Sequence, residues 1–348
     1  MHQEQGEIVT MTMSERRSPS LWAFVLIAIG VVWLLREANV LTNANLAILF
    51  RFWPIILIGL GLALLVGRSS SQLSTLIILG TLALLIVLML VGPSVGLAQN
   101  VQVKTAQYEE PLGDTQAARI NLSASIAHMT VNPLQGSDSL FEADIEYVGD
   151  ISFNGEGSGS DKVLTLENRG ENVSWNPINF LNWVGGNNED IDWAIGVSPD
   201  VPIDLNVTLG VGGGELNLDA IELTSLHVNT GTGGVSVSLP NVDEPYQARI
   251  ETGTGGGAIR LEEGAAVRLL LSSGTGGMEV DVPDGAAVRV VASVGTGSIN
   301  VPQGFNRIGG SEDRFIGDSG TWETEDFNTS DRQIIIEYNG GTGGLEIR

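Results

Sequence analysis

The sequence predicts a protein in two parts, an N-terminal segment of three transmembrane α-helices followed by an all-β repeat domain. Three apolar, uncharged runs lie within the first 92 of the 348 residues. Beyond residue 204 a glycine-rich phrase recurs at a nearly fixed step, and apolar residues alternate with polar ones around each copy. Such a step with period-two alternation is typical of stacked β-repeats, so we expect a β-solenoid or β-helix with about 21 residues per rung.

The repeat is marked by a glycine at the same place in each copy. Five of these glycines are 21, 22, 21 and 21 residues apart, and a sixth copy carries Gly341. The five are Gly210, Gly231, Gly253, Gly274 and Gly295. We interpret all six as structural corners, where glycine supplies a positive φ angle and lets successive backbones stack closely.

Each copy consists of a strand, a glycine corner, a second strand and a turn. Before the first corner, Leu205, Val207 and Leu209 are apolar at every second position. Six positions after that corner lies Leu216, beside the polar Glu215. The same columns recur in the other copies, so one face of each strand is buried and the other is solvated. Because no single copy has enough apolar surface to be stable alone, the copies must stack around a continuous core.

The glycine-rich loops invite comparison with ligand-binding loops. A phosphate-binding loop follows a strand and opens a helix, whose N-terminus holds the anion. Here a strand is expected after every loop, as in Gly253-Thr254-Gly255-Gly256, which favours a structural role. The calcium-binding nonapeptide repeat also fits poorly, because no Asp column recurs every nine residues.

The three apolar runs, residues 21–35, 52–67 and 73–92, predict transmembrane helices. At 1.5 Å per residue the first two span only roughly 23 Å of the ~30 Å hydrocarbon core, so we expect them to recruit flanking residues. The third run is long enough unaided, and three such runs in close succession disfavour a soluble core helix. The polar residues 1–20 are predicted to form a cytoplasmic tail.

Small residues on the second run predict a helix-packing surface. Gly59, Ala63 and Gly67 are spaced four apart, and such a stripe lets another helix approach closely. Three spans make a multi-pass protein, and the distribution of arginines favours an orientation with the N-terminus inside the cytoplasmic membrane and the C-terminal domain outside. Small residues at 94–98 also fit a signal-peptide cleavage site, but the two earlier runs make an uncleaved anchor the simpler interpretation.

Residues 93–117 are predicted to form a linker, and residues 118–348 an acidic β-repeat domain. Residues 118–131 match the repeat with serines in place of the corner glycines, and we interpret them as a divergent first rung. Residues 303–333 are expected to loop out as an irregular insertion before the final strand.

Residues 171–198 interrupt the repeat and concentrate aromatic side chains. These are Trp175, Phe180, Trp183 and Trp193. One interpretation is an exposed patch for a partner or the membrane surface, because Trp is enriched in binding hot spots. The other, which the frequency of buried aromatic side chains favours, is that these rings pack inside the domain.

Composition argues against several classes of function. The net charge is −24, and beyond residue 99 there are 37 acidic and 12 basic groups, which disfavours nucleic acid as a partner. The chain has no cysteine, so disulfides and thiolate chemistry are excluded. It contains no zinc-binding His-Glu-x-x-His and no Walker lysine. We therefore predict a non-enzymatic protein without a cofactor.

Candidate ligands and acid pairs are also interpreted as surface residues. His128 and His227 fall in outward columns on different rungs, without partners at metal-ligand spacing. Adjacent carboxylates such as Glu262 and Glu263 point apart, whereas glycoside hydrolysis needs two carboxyl groups flanking a cleft. No catalytic residue and no metal ligand is therefore predicted.

Two segments resemble known families. A run ending in Trp33-Leu34-Leu35 is followed by Asn39-Val40-Leu41 and then by Phe52-Trp53-Pro54-Ile55-Ile56-Leu57. This pattern is similar to the transmembrane region shared by the LiaI and LiaF cell-envelope stress proteins of bacteria. The segment Pro199-Asp200-Val201-Pro202-Ile203-Asp204-Leu205, leading into the glycine rungs, looks like the toast-rack β-repeat domain of LiaF-like and adhesin-like proteins.

The resemblance implies an accessory protein that modulates a two-component sensor kinase responding to envelope damage. Our first hypothesis is an integral membrane protein that lies in the lipid bilayer, packs its helices against a partner such as that kinase or another envelope protein, and exposes its β domain. The alternative is a surface adhesion or structural module for which the helices are only an anchor. A polysaccharide-cleaving enzyme is disfavoured, because no convergent acid pair is visible. No motif specifies the oligomeric state.

Overall fold

A computed structural model of the chain divides into two compact units, one holding the helices and the other the β strands. The residues that it describes are 52–67, 70–92, 103–157, 160–169, 191–311 and 317–348, together with Gly30, Trp33, Asn45 and Val95. The predicted tail and the predicted first helix, residues 21–35, lie outside these residues, apart from Gly30 and Trp33, which are helical.

The described helices are α1 (Trp53–Gly67) and α2 (Ser71–Val91). Ser70 caps α2, because its Oγ accepts the backbone N–H of Leu73 at 3.4 Å. Among the residues described, one helix is long and apolar enough to cross a membrane, over the 20 residues Gln72–Val91 with mean hydropathy 2.8. Helix bounds are thus defined for two of the three predicted runs, and each lies close to its predicted range.

The β domain consists of two sheets, which we call sheet A, with 10 strands, and sheet B, with 11. The strands that precede the regular repeats are β1 (Lys104–Pro111), β2 (Ala117–Ile126), β3 (His128–Pro133), β4 (Ser139–Tyr147), β5 (Asp150–Glu156), β6 (Asp161–Arg169) and β7 (Asp192–Val197). The first four regular repeats supply β8 (Ile203–Val211), β9 (Gly214–Asn217), β10 (Leu223–Thr232), β11 (Val235–Leu239), β12 (Tyr246–Thr254), β13 (Gly257–Leu261), β14 (Val267–Thr275) and β15 (Met278–Asp281). The remaining strands are β16 (Ala287–Thr296), β17 (Ile299–Asn300), β18 (Phe305–Ser311), β19 (Asp318–Thr324), β20 (Gln333–Thr342) and β21 (Leu345–Ile347).

Matching positions of neighbouring repeats lie side by side in parallel register. Each repeat gives its first strand to sheet B and its second to sheet A. In sheet B, Leu226 of β10 pairs with Leu205 of β8, and in sheet A, Val237 of β11 pairs with Leu216 of β9. These four side chains are buried, and their columns form one hydrophobic core shared by both sheets. The alternation seen in the sequence therefore decides which face of each strand is buried.

The rungs are not stacked in chain order. Sheet B contains the strand order β14-β20-β16, and sheet A contains β15-β21-β17. The rung that carries Gly341 therefore lies between the rungs that carry Gly274 and Gly295. The prediction of a large all-β repeat domain is confirmed, whereas a solenoid that winds in chain order is not what the sheets show. Because the repeats have nearly the same pattern, the sequence does not specify the order in which their rungs stack.

Antiparallel strands flank the parallel rungs at one end of both sheets and at the other end of sheet B. At one end β4 pairs with β7, β5 with β6 and β1 with β4, and at the other β19 pairs with β16 and β18 with β19. Aromatic rings gather at the first end, where the Phe153 ring lies 5.0 Å from that of Tyr108 and 5.7 Å from that of Phe141. Trp322 of β19 is buried at the other end. These caps replace the parallel neighbours that the end rungs lack.

Three expectations about segments change with this arrangement. The predicted linker, residues 93–117, contains strand β1. Residues 118–131 do form a rung parallel to β8 and β9, but β6 and β7 lie beyond it, so it is not terminal. Residues 303–333 contain β18 and β19 and are not simply an irregular loop. Strands β1, β18 and β19 were missed because they carry no glycine corner.

Candidate functional sites

The predicted helix-packing stripe faces the second described helix of the same chain. Gly59 and Ala63 are buried. A Cβ atom at Gly59 would overlap the side chain of Thr81 on α2, and one at Gly67 would lie 3.4 Å from the Oγ of Ser74. The small residues of α1 thus let α2 approach closely, as such stripes do between membrane helices. The packing partner of this stripe is therefore α2 of the same chain.

A polar side chain from outside α1 and α2 also forms a hydrogen bond to α2. Asn45 is buried, and its Nδ2 donates a hydrogen bond of 2.6 Å to the carbonyl oxygen of Met89 on α2. In a regular helix that carbonyl would accept the N–H of residue 93, but Pro93 has no N–H. Asn45 therefore satisfies a carbonyl group that the helix itself leaves unpaired, in an apolar segment where an unpaired carbonyl is costly. A lone asparagine gave no sequence signal for this role.

The corner glycines stack in one column along sheet B. A Cβ atom at Gly231, Gly253 or Gly274 would overlap the carbonyl oxygen of the glycine in the neighbouring rung. In the same way, a Cβ atom at Gly341 would overlap the carbonyl oxygen of Gly274, and one at Gly295 would overlap that of Gly341. A side chain at any of these positions would push two rungs apart, so the close backbone approach requires glycine.

The positive φ angles lie two residues beyond the predicted corners. None of the six predicted corner glycines has a positive φ, whereas Gly212, Gly233 and Gly255 have φ angles of 133°, 137° and 138°. The reason is that strands such as β8 and β10 continue through the first glycine, and the chain turns only afterwards. The expectation that the first glycine supplies the positive φ was therefore wrong.

Buried hydroxyl groups hold the turns from inside the core. Thr252 Oγ1 donates to the carbonyl of Gly255 at 3.5 Å, and Ser273 Oγ donates to the carbonyl of Gly276 at 3.1 Å. Ser273 Oγ also lies 2.8 Å from the hydroxyl of Tyr338. These bonds satisfy carbonyl groups at the turn, and buried polar groups need such partners. The sequence analysis did not predict this role for Thr252 and Ser273.

An open groove crosses the outer face of sheet A beside the turns. It encloses about 760 Å³ and runs along β9, β11, β13, β15, β21 and β17. Glycines such as Gly234 and Gly256 line one side. The other side is an outward column of side chains, formed by Glu215, Ser236, Ala258, Glu279, Glu346 and Asn300. Because these side chains are short or flexible, the backbone of several rungs is accessible along one line.

The groove is acidic where it crosses β15 and β21. Glu279 and Glu346 are direct cross-strand neighbours, and like charges in that position repel one another. Arg348 offsets the repulsion, because its guanidinium pairs with Glu279 and, at 2.9 Å, with Glu346. The hydrogen bond to Glu346 raises the pKa of Arg348 above its ordinary value. The remaining carboxylate of the column, Glu215, lies nearer to His128 along the groove.

Of the four aromatic residues in 171–198 the structure describes one, Trp193, and it fits the favoured interpretation of a ring packed inside the domain, not an exposed patch. Trp193 is 1% exposed, and its Nε1 donates to the carbonyl of Glu146 at 3.0 Å. Trp193 lies on β7 between β3 and β4, and the strand alternation turns its ring into the core. It therefore belongs to the packed interior. Trp175, Phe180 and Trp183 lie outside the described residues.

The titratable side chains do not converge on a catalytic or metal site within the described part of the chain. Those residues include no group of three or more His, Asp or Glu that could hold a metal ion. His128 lies on sheet A, and His227 lies on sheet B, where its Nε2 is 3.7 Å from Glu251 Oε2. The two histidines are thus on different sheets.

The chain combines two apolar helices with a two-sheet β-repeat domain, which is the architecture of a membrane-associated β-repeat protein. Residues 20–65 match the family model of the LiaI-LiaF-like transmembrane region. Residues 97–260 match the model of the N-terminal domain of toast_rack, DUF2154. The chain therefore carries a LiaI-LiaF-like transmembrane region and a toast-rack domain, which confirms both resemblances. These matches mark an envelope-related membrane protein and indicate no enzyme family.

Two solved structures are similar to the chain. One is a "putative cell adhesion protein" from Clostridium sporogenes ATCC 15579, at 18% identity and a TM-score of 0.48, covering 71% of this chain and 99% of that chain. The other is a "putative adhesin" from Bacteroides fragilis NCTC 9343, at 8% identity and a TM-score of 0.24, covering 71% and 97%. No curated protein matches the chain. Similarity at this level assigns no function.

Proposed function

We propose that this chain is a non-enzymatic, multi-pass membrane protein of the bacterial cell envelope, which holds its β domain outside the cytoplasmic membrane. The apolar side chains of α2 are largely exposed, as expected for a helix surrounded by lipid, and Leu76 and Leu79 are examples. The excess of acidic groups beyond residue 99 keeps such a domain soluble and away from anionic headgroups. The main support for the proposal is that one chain combines a helix with an exposed apolar surface and an acidic, well-packed β domain.

Within that class we propose an accessory role in envelope-stress signalling, in which the helices contact a membrane partner such as a sensor kinase. The LiaI-LiaF-like region supports this role. Because Gly59 and Ala63 pack against α2, a partner helix would contact the outer surface of the helix pair. Gly61 and Gly80 offer openings there, since a Cβ atom at either glycine would meet nothing within 4 Å. Close helix approach at such positions is typical of membrane interfaces.

Co-purification from native membranes in mild detergent tests this role. Gly61→Leu adds bulk to the outer surface without entering the interface between α1 and α2, and it is expected to lower recovery of a kinase. Gly61→Ala is the matched control, and Gly59→Leu separately disturbs the helix pair. If the kinase is recovered equally with wild type, Gly61→Leu and Gly80→Leu, the helices are only an anchor and the signalling role is contradicted.

A membrane-anchored adhesion or scaffold module is the second candidate, and the groove on sheet A favours it. Acceptor and donor groups of Glu215, Ser236 and Asn300 lie on one outward column, which crosses strands about 4.8 Å apart. Carboxylates repel anions and accept hydrogen bonds from hydroxyl groups. The groove therefore suits a neutral, hydroxyl-rich polymer lying across the rungs.

Binding of the full-length protein to isolated cell-wall material tests this second candidate. Ala258→Trp fills the middle of the groove, whereas Asn229→Trp places the same exposed ring on the outer face of sheet B. If the groove holds the polymer, only Ala258→Trp weakens binding. Equal binding by wild type and both variants would contradict a role for the groove.

A further inference from the structure

Strands β20 and β21 form a rung that we call the inserted rung (Gln333–Ile347). They come after all the other described strands in the sequence, but they lie in the interior of the two sheets. In sheet B, β20 pairs in parallel with β14 on one side and with β16 on the other. In sheet A, β21 pairs in the same way with β15 and with β17. The inserted rung therefore separates two parts of the domain that are consecutive in the chain.

The strands β16 to β19, which we call the distal module, depend on the inserted rung for their place in both sheets. β16 pairs with β20 and β19, β18 pairs with β19, and β17 pairs with β21. In the part of the chain that the structure describes, no strand of the distal module pairs with a strand of the earlier rungs. Without the inserted rung, the module would have no ladder partner in the remainder of the domain.

Arg332, directly before the inserted rung, ties it to the turns of earlier rungs. Its guanidinium donates to the carbonyl of Gly264, to Oδ1 of Asn241 at 2.5 Å and to the carbonyl of Val242 at 2.7 Å. Hydrogen bonds from a charged donor are stronger than neutral ones, and several on one planar group fix its geometry. Arg332 thus holds the start of the inserted rung to the turns that precede β12 and β14.

Two further side-chain contacts lie on the same side of the inserted rung. Glu337 accepts a bond of 2.5 Å from Arg268 of β14, and the hydroxyl of Tyr338 lies 2.8 Å from Ser273 of β14. Toward the distal module, the rung presents the parallel ladder of β20, in which Ile336 pairs with Val290. The earlier rungs therefore bind the inserted rung through specific side-chain contacts. The inserted rung in turn provides the strand edge with which the distal module pairs.

We propose that the inserted rung is a conformational lock on the β domain. The distal module docks only after the inserted rung is seated on β14 and β15, and release of that rung frees the module while the earlier rungs stay folded. Folding beyond β15 consequently does not follow chain order. Until the inserted rung arrives, β14 and β15 are open strand edges, which can pair with other chains and promote aggregation.

The test uses the full chain in detergent, with a protease recognition sequence inserted between the exposed residues Asn328 and Thr329 and cut only after folding. Mass spectrometry follows the released fragment in rising urea, and hydrogen exchange follows the strands. As the fragment leaves, amides of β16 and β19 are expected to exchange about 100-fold faster, while those of β10 and β12 keep their protection. Protection of β16 that survives release of the fragment, or that is lost while the fragment is still bound, would overturn the proposal.

A point variant in the intact chain tests the lock without cleavage. Arg332→Ala removes the contacts to the earlier turns and is expected to raise hydrogen exchange in β20 and β16 together. Arg260→Ala is the matched control, because Arg260 is an exposed arginine on the outer face of sheet A. If both variants exchange like the wild type, Arg332 does not hold the inserted rung in place.

Discussion

At the scale of single residues, the glycines of each repeat meet two different requirements. Gly253 has an ordinary φ but stands against the carbonyl of Gly231, whereas Gly255 has a φ of 138°. Both requirements exclude a side chain, so both produce glycine, and the sequence alone could not separate them. The corner was therefore placed two residues too early, although the step between repeats was correct.

Replacing either kind of glycine should destabilise the β domain for its own reason. Gly253→Ala inserts a methyl group against a neighbouring backbone, and Gly255→Ala also strains the backbone. Each is expected to lower the free energy of unfolding by roughly 2 kcal/mol or more. Gly309→Ala is the control, because its Cβ would lie 3.9 Å from Thr321, in ordinary contact. Urea denaturation of the full chain should show the difference, and a Gly253→Ala protein as stable as Gly309→Ala would refute the stacking account.

At the scale of the elements, the helix pair shows what a small-residue stripe can and cannot predict. The spacing of Gly59, Ala63 and Gly67 identified the packing face of α1, because close approach needs small side chains. It could not identify the helix that fills that face, since Thr81 and Ser74 were ordinary residues of another run. The bond from Asn45 to Met89 was missed for the same reason, as it joins segments far apart in the chain.

A double-mutant cycle tests the interpretation of the Asn45 bond. Asn45→Ala removes the donor to the Met89 carbonyl and is expected to destabilise the helical segment by about 0.6–2 kcal/mol. Pro93→Ala restores an N–H at the position where the helix needs one, so the same Asn45→Ala change should cost less in that background. Reversible unfolding of the membrane segment in detergent gives the four values. Equal costs in both backgrounds would show that Pro93 is unrelated to the role of Asn45.

At the scale of the whole molecule, local pattern predicted the architecture but not the assembly. Period-two alternation identified the buried columns, and the glycine step identified the rungs. The position of the rung that carries Gly341 could not be predicted, because each rung presents nearly the same edges to its neighbours. The antiparallel strands β18 and β19 could not be predicted either, since residues 303–333 lack the repeat. Order and closure are set by tertiary contacts such as those of Arg332.

The proposed orientation, with the tail inside and the β domain outside the membrane, is directly testable because the chain has no cysteine. Asp284→Cys places one thiol on an exposed turn of the β domain, and Ser14→Cys places one in the tail. Intact cells that express either variant are treated with a membrane-impermeant maleimide. If the orientation is as proposed, Asp284→Cys is labelled in intact cells and Ser14→Cys only after lysis. Labelling of Ser14→Cys in intact cells, with Asp284→Cys protected until lysis, would contradict it.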